Sequence, residues 1–318
     1  MESSVVVITL NYNQNEYTLK CIDSLIDSKY KNFKILLIDN GSDIESFNTL
    51  KDSIPANNNI QLLRIEENIG YVGGINFGLK ETVKLNPDFC IIMNNDTIID
   101  QYAIEELVNA SFKYSNSIIT GKVYHYNDPQ RFQYTGQQII NKSILKYEKI
   151  GFNEIDIGQY DTDMERDMID DIFWIFPFEL YKQIGGYSEY FWFNNEQADF
   201  ALRAKQIGYK LIYAHKAKLW HKGSVSVGGK NNNPALVYWG LSASLIFRFI
   251  HLNKFNFWKY YFVVIISIVS TYIKAIFFFL LKNESKFKYA NAKMGGLKYF
   301  NKWLIKRNVN TGKNPFNK

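Results

Sequence analysis

Apolar and polar positions fall into alternating blocks along the first hundred residues. Residues 4–10 (SVVVITL) form a β-branched run that stops at Asn11-Tyr12-Asn13, and residues 16–25 then carry apolar side chains at helical spacing. That pattern predicts a strand feeding a helix. Further strands are expected at 33–38, which runs into Asp39-Asn40-Gly41-Ser42, at 60–65, ahead of Glu66-Glu67-Asn68, and at 89–93, ahead of Asn94-Asn95-Asp96. A helix is expected from about Gly74. Four strands alternating with helices, each strand ending in polar residues, predict an α/β fold whose mainly parallel sheet carries a site on its carboxyl edge.

Beyond residue 120 the pattern loosens. Residues 121–171 are expected as hairpins or a mobile loop. Helices are predicted at 177–184, stopping at Gly185-Gly186, and at 195–207, stopping at Gly208, with a strand at 210–214 ahead of Trp220-His221. The most apolar stretch is 257–281, yet Lys259 and Lys274 bracket only 14 uncharged residues. A spanning helix needs about 20, so an interfacial or buried helix is expected there.

Length and composition narrow the class. At ~150 residues per domain, 318 residues suggest about two domains. Hydrophobic residues at 47% and charged residues at 21% exclude a disordered or collagen-like chain. The net charge of +6 hides an asymmetry: from Arg248 onward there are 14 basic residues and one acidic, leaving −7 on residues 1–247. Such a tail meets a polyanionic surface. Its interleaved Phe287, Tyr289, Tyr299, Phe300 and Trp303 suit a headgroup layer, so the expected partner is the cytoplasmic membrane face, with no nucleic acid. The aromatic tail also suits self-association into a homo-oligomer. Cys21 and Cys90 lie in apolar runs, as buried thiols in a reducing compartment would, and the N-terminus lacks the basic region of a secretory signal. The expected organisation is a domain over 1–247, with halves 1–120 and 121–247, and a basic helical tail over 248–318.

Several residues carry candidate chemistry. Asp96 ends an apolar strand among short oxygen-bearing side chains, which suits a hard divalent ion or, more blandly, an Asx turn. The turn from Asn68 through Gly70, Gly73, Gly74 and Asn76 to Gly78 would let backbone approach a pyrophosphate, or is simply a tight connection. Asp39 is able to accept from the imide of a uracil or thymine ring, or to shape a turn. Glu196, near a helix start, is placed for a general base, while Asp199 and Arg203 have the spacing of an i,i+4 ion pair. His221 reads equally as a loop histidine or a metal ligand.

In order, the stretches VVVITLNYNQNEYTLKCIDSL, ILLIDNGS, ENIGYVGGINFGL, IIMNNDT, IGGYSEYF, EQADFALRAKQIGY and KLWHKGSVS resemble the family 2 inverting glycosyltransferases of GT-A fold, in their non-processive rhamnosyltransferase-like branch. The resemblance implies a Rossmann-like nucleotide-binding half, an acceptor-binding half, and a UDP- or dTDP-sugar donor. It implies that the base lies against Thr9, Asn11 and Tyr12 with Asp39 on its imide. Asn68, Gly70, Gly73, Gly74, Asn76 and Asn95 would line the rest of the nucleotide. Asn94-Asn95-Asp96 stands where the family has Asp-x-Asp, which implies that Asp96, joined by His221, binds Mn2+ or Mg2+ at the diphosphate.

Three positions depart from the family pattern. The usual Glu-Asp-x-Asp is Glu196-Gln197-Ala198-Asp199, and the neutral Gln197 cannot take a proton; either Glu196 or Asp199 is then the base, with Glu196 favoured. Asp170-Asp171-Ile172 replaces a small-residue cluster near the sugar, and His215 replaces a proline and has no assigned role. The Gln-x-x-Arg-Trp motif of processive synthases is absent. The expected activity is transfer of one sugar to a hydroxyl of a lipid-linked or cell-surface glycan. The rival reading is a catalytically weak homologue that binds nucleotide sugar or glycan.

Overall fold

The computed structural model describes residues 2–223, 233–280 and 284–310. Residues 224–226 of the last matching stretch, and Lys282, Lys313 and Lys318, lie outside them. In chain order the elements are β1 (Val5–Asn11), α1 (Asn15–Ile26), β2 (Phe33–Asn40), α2 (Ile44–Ser53), β3 (Ile60–Ile65), α3 (Gly70–Thr82), β4 (Phe89–Met93), β5 (Thr97–Ile99), α4 (Ala103–Lys113) and β6 (Ser117–His125). There follow β7 (Asp128–Tyr134), β8 (Gln137–Asn141), β9 (Lys146–Lys149), β10 (Met164–Glu165), β11 (Phe173–Pro177), α5 (Phe178–Ile184), α6 (Glu196–Gln206) and β12 (Lys210–His221). The chain continues into α7 (Pro234–His251), α8 (Lys254–Leu280) and α9 (Glu284–Lys306).

Among the described residues ten strands share one sheet, whose main path runs β10-β12-β6-β11-β4-β1-β2-β3. The segment β4-β1-β2-β3 is parallel throughout, and β11 enters antiparallel between β4 and β6. Strands β1, β4 and β11 are apolar almost without a break and β2 nearly so, because helices cover both faces of the central sheet, as in other parallel sheets. Val5, Val7, Leu37, Ile91 and Phe173 join the core under α1 and α4, whose buried Cys21, Ile22, Leu25, Ile104 and Leu107 recur at helical spacing. The expected α/β class with a mainly parallel sheet core therefore stands, followed by a helical C-terminal region.

Some boundaries differ from the expectations. Residues 121–171 hold β6 to β10, including the β6–β7 and β8–β9 hairpins. The strand expected at 210–214 runs on to His221 past an irregularity between Tyr213 and Lys218. Two compact units are present: one comprises 1–139, 147–187 and 197–223, the other 140–146, 188–196 and 224–318. The boundary expected between 247 and 248 falls inside α7. In the second unit α9 packs along α7 and α8 through Trp239, Phe247, Phe257, Phe300 and Trp303, all buried.

Candidate active site

Strand register builds the floor of the site. Asn11 lies opposite Asp39, and Asp39 opposite Arg64, so three polar residues stand side by side at the carboxyl ends of β1, β2 and β3. The Asp39 carboxylate, fully buried, accepts from Ser42 Oγ at 2.6 Å and Asn11 Nδ2 at 2.9 Å, with Arg64 Nη1 at 3.5 Å offsetting its charge. Burying a carboxylate is tolerable only with such partners. Asn11 Oδ1 accepts from Thr18 Oγ1 at 2.8 Å, and Thr18 Oγ1 accepts from Asn95 Nδ2 at 2.7 Å. One polar chain thus ties the ends of β2, β1 and β4 together. Thr9 Oγ1 is buried there without a hydrogen-bond partner, and Tyr12 is exposed beside it.

The glycine-rich turn is fixed against this edge by Asn40. Its Nδ2 donates to Gly70 O at 3.0 Å and its Oδ1 accepts from Ile69 N at 3.3 Å, while Asn68 Oδ1 accepts from Gly70 N at 2.9 Å. Gly41, at φ +79°, comes so close that a Cβ would stand 2.2 Å from Asn68 N. The other glycines divide their tasks. A Cβ on Gly74 would meet Leu10 at 2.9 Å and one on Gly73 would meet Ile69 at 2.8 Å, so both face protein rather than an open cleft. Asn76, expected at the nucleotide, has both ends of its amide on the Tyr187 backbone, at 2.9 and 2.8 Å. It fastens α3 to the Gly185-Gly186 turn.

Asp96 and His221 come together as the spacing alone could not show. The β5–β12 pairing sets His221 opposite Thr97, and Lys222 N donates to Asp96 O at 2.9 Å. His221 Nε2 then lies 3.1 Å from Asp96 Oδ1, while Asp96 Oδ2 accepts from Gly223 N at 3.0 Å. Gln133 on β7 accepts from His221 Nδ1, and Asn94 Nδ2 sits 3.3 Å from Nε2. With the proton on Nδ1, the Nε2 lone pair and a carboxylate oxygen face one another, and a cation between them satisfies both. One carboxylate and one imidazole would offer a divalent ion two ligands. Among the described residues no cluster of three or more His, Cys, Asp and Glu forms a metal cage, so further ligands would be phosphate oxygens and water.

The candidate bases separate. Asp199, 1% exposed, pairs with Arg203 Nε at 2.8 Å; Arg203 also donates to Ile184 O and Gly186 O. The ion pair anchors α6 to the turn after α5. Glu196, 2% exposed, opens α6 after Asn194 and Asn195, which both lie in the left-handed region at φ +70° and +64°. Consecutive residues held there impose a specific direction on the chain entering the helix. Glu196 belongs to the second unit and Asp199 to the first.

Asp171 had no expected role. Its carboxyl accepts from Tyr71 at 2.8 Å and Tyr187 at 2.5 Å, and burial, reinforced by the charge of Asp170, pushes its pKa up to about 7. The neighbouring Ile172 O accepts from Asn94 N at 3.1 Å, so this carboxyl stands next to the Asn94-Asn95-Asp96 strand end. His215 pairs with Asp163 at 2.6 Å.

A doubly covered, mainly parallel α/β sheet with a polar carboxyl edge is the architecture shared by GT-A type folds. The sequence profile of glycosyl transferase family 2 matches residues 4–183, and the chain belongs to that family. It is 27% identical over 134 residues to glycosyltransferase GlyA of Streptococcus pneumoniae serotype 4, covering 42% of this chain and 19% of the relative. To glycosyltransferase GlyG of the same organism it is 24% identical over 140 residues, 43% of this chain and 46% of that one. The match thus spans less than half the length of either. Two solved structures share the fold at 14% identity: GalNAc-T7 with UDP, GalNAc and Mn2+ (TM-score 0.58, 69% of this chain, 44% of that) and S. aureus TarS 1–349 (TM-score 0.52, 80% and 68%).

Proposed function

We propose that the protein moves one sugar from a UDP- or dTDP-sugar to a hydroxyl of a glycan or lipid-linked acceptor, with inversion and with the aid of Mn2+ or Mg2+. The observation that carries the reading is the Asp96–His221 pair, oriented by Gln133 and Gly223 at the strand edge. The solved neighbour with UDP and Mn2+ supports the donor and metal classes. Asp96 and His221 would hold the ion, which supplies positive charge against the departing diphosphate.

Glu196 takes the acceptor proton in this reading. Asp199 is committed to Arg203, and Gln197 lacks a basic atom. As the acceptor oxygen bonds to the anomeric carbon, the bond to the diphosphate oxygen breaks on the opposite face, the proton passes to the Glu196 carboxylate, and configuration inverts. The rhamnosyltransferase-like branch belongs to the same proposal and makes dTDP-rhamnose one of the donors to screen beside UDP-hexoses.

The test measures binding and turnover together. Titration of UDP and dTDP with and without Mn2+ should show metal-dependent affinity that Asp96→Asn abolishes, with donor hydrolysis down by about 10²–10³. Glu196→Gln should keep nucleotide affinity and lower transfer by roughly 10²–10⁴. Metal-independent binding, or normal turnover in Glu196→Gln, refutes the corresponding assignment.

A further inference from the structure

We infer that the exposed face of α8 docks the chain on an anionic lipid bilayer, with the helix lying in the plane of the headgroup boundary and not crossing it. The inference goes beyond the proposed reaction and does not depend on it, because lipid binding is read without sugar transfer.

Two opposite faces of α8 show why. Phe257, Tyr261, Ile268 and Ala275 recur at intervals of four, seven and seven residues and are buried in the second unit. Phe257 and Tyr261 pack on Phe300, and Tyr261 donates to Asn301 at 2.7 Å. On the other side Phe255, Ile266 and Ile273 are 78%, 68% and 64% exposed, with Phe262 and Val269 between them. At 1.5 Å per residue this apolar stripe is about 27 Å long from Phe255 to Ile273. From Phe262 to Ile273 the stripe carries no charged side chain, while Lys259 interrupts it toward Phe255; an exposed apolar surface of this kind marks an interaction site. A groove of ≈ 380 Å³ opens on it beside Ile266, Val269 and Ile273.

Charge selects the occupant. Lys254, Lys259 and Lys274 are exposed on the same helix, and the chain from Arg248 onward carries 14 basic residues against one acidic. Anionic headgroups complement that pattern. A second copy does not: antiparallel pairing centred on Ile266-Ser267 sets Lys259 against the other copy's Lys274, and parallel pairing sets each lysine against itself. A crossing is disfavoured by the 14-residue uncharged span and by α9, which packs along α8 while exposing Lys286, Lys288, Lys298 and Lys302.

The full chain is to be sedimented with vesicles of phosphatidylcholine alone and of equal parts phosphatidylcholine and phosphatidylglycerol. Binding to the mixed vesicles, weakened by salt, is expected. The double variant Phe262→Asp/Ile266→Asp should lower the partition constant by at least about tenfold without moving the thermal midpoint, since both side chains are exposed. Absence of binding, or binding indifferent to the double variant, overturns the proposal; so does a concentration-dependent dimer that the variant abolishes without any vesicle binding. Depth is read separately. Cys21 and Cys90 are buried, so a thiol-reactive fluorophore reports from Phe255→Cys, Ile266→Cys or Ile273→Cys in turn. Quenching by lipid-borne quenchers should give one shallow depth for all three. A label at 266 much deeper than that at 255 would establish a crossing and overturn the in-plane placement.

Discussion

Asp171 is held where an aspartate is costly to ionise. Burial first, then the neighbouring Asp170 charge, raises its pKa to about 7, even though Tyr71 and Tyr187 donate to it. An unfolded aspartate ionises near 3.9. Between about 4 and 7 the unfolded chain has therefore lost a proton that the native state keeps, and stability falls as pH rises through this window before levelling off above it. From pH 5 to pH 7 the loss amounts to roughly 2 kcal/mol at ~1.4 kcal/mol per unit. Asp171→Asn removes the titrating group, so urea midpoints at the two pH values should converge in the variant relative to wild type. Equal pH slopes in both proteins would place the raised pKa elsewhere. Because Tyr71 sits in the first turn of α3, the same variant also tests whether this carboxyl steadies the glycine-rich turn: nucleotide affinity should fall while metal binding persists.

At the scale of elements, α3 shows how glycine composition serves packing as much as ligand approach. A Cβ on Gly78 would lie 2.6 Å from Ile8 Cγ2, inside the layer between helix and sheet. Gly78→Ala gains about 0.5–1 kcal/mol of helix propensity and loses roughly 1–3 kcal/mol to overpacking, so the urea midpoint should fall with an unchanged m-value. A stabilised variant would mean that Ile8 yields without strain. The same helix marks a limit of the sequence pattern. Its expected start at about Gly74 lies a turn late, because three glycines in five residues mask a helix whose Val72, Ile75 and Leu79 are pinned on the sheet by tertiary contact. The strands β3 and β4 were legible to the residue, since apolar-rich runs end abruptly in polar ones. Neither the antiparallel entry of β11 nor the approach of Gln133 to His221 was, as nothing local in Phe173–Pro177 or around Gln133 encodes a partner 50 or more positions away. The Asp96 and His221 positions could be named from their motifs, but their 3.1 Å approach depends on the β5–β12 register. Asn40 and Gln133, which orient the turn and the imidazole, carry no signal beyond being amides.

For the whole molecule, the question with the largest energetic spread is how the chain from Arg248 onward meets a membrane. α8 is long and apolar enough to cross one over Lys254–Ile276, and only 17% of that window is buried. Length alone would therefore favour insertion. Insertion must carry α9 with it or strip α9 away. In the first case lysines such as Lys293 and Lys298, midway along α9, enter the hydrocarbon at ~2.5–3.5 kcal/mol each, roughly 5–7 kcal/mol for the pair. In the second, the Phe257, Tyr261, Phe300 and Trp303 cluster is dismantled, and burial of such side chains contributes about 1.5–3 kcal/mol apiece. In-plane docking incurs neither cost and still buries Phe255, Phe262, Ile266 and Ile273 against acyl chains. Membranes from cells expressing the full chain should then release it on alkaline carbonate washing and in part on raising salt. Retention in the pellet beside a spanning control would show that α8 crosses and that the packing of α9 on α8 gives way in lipid.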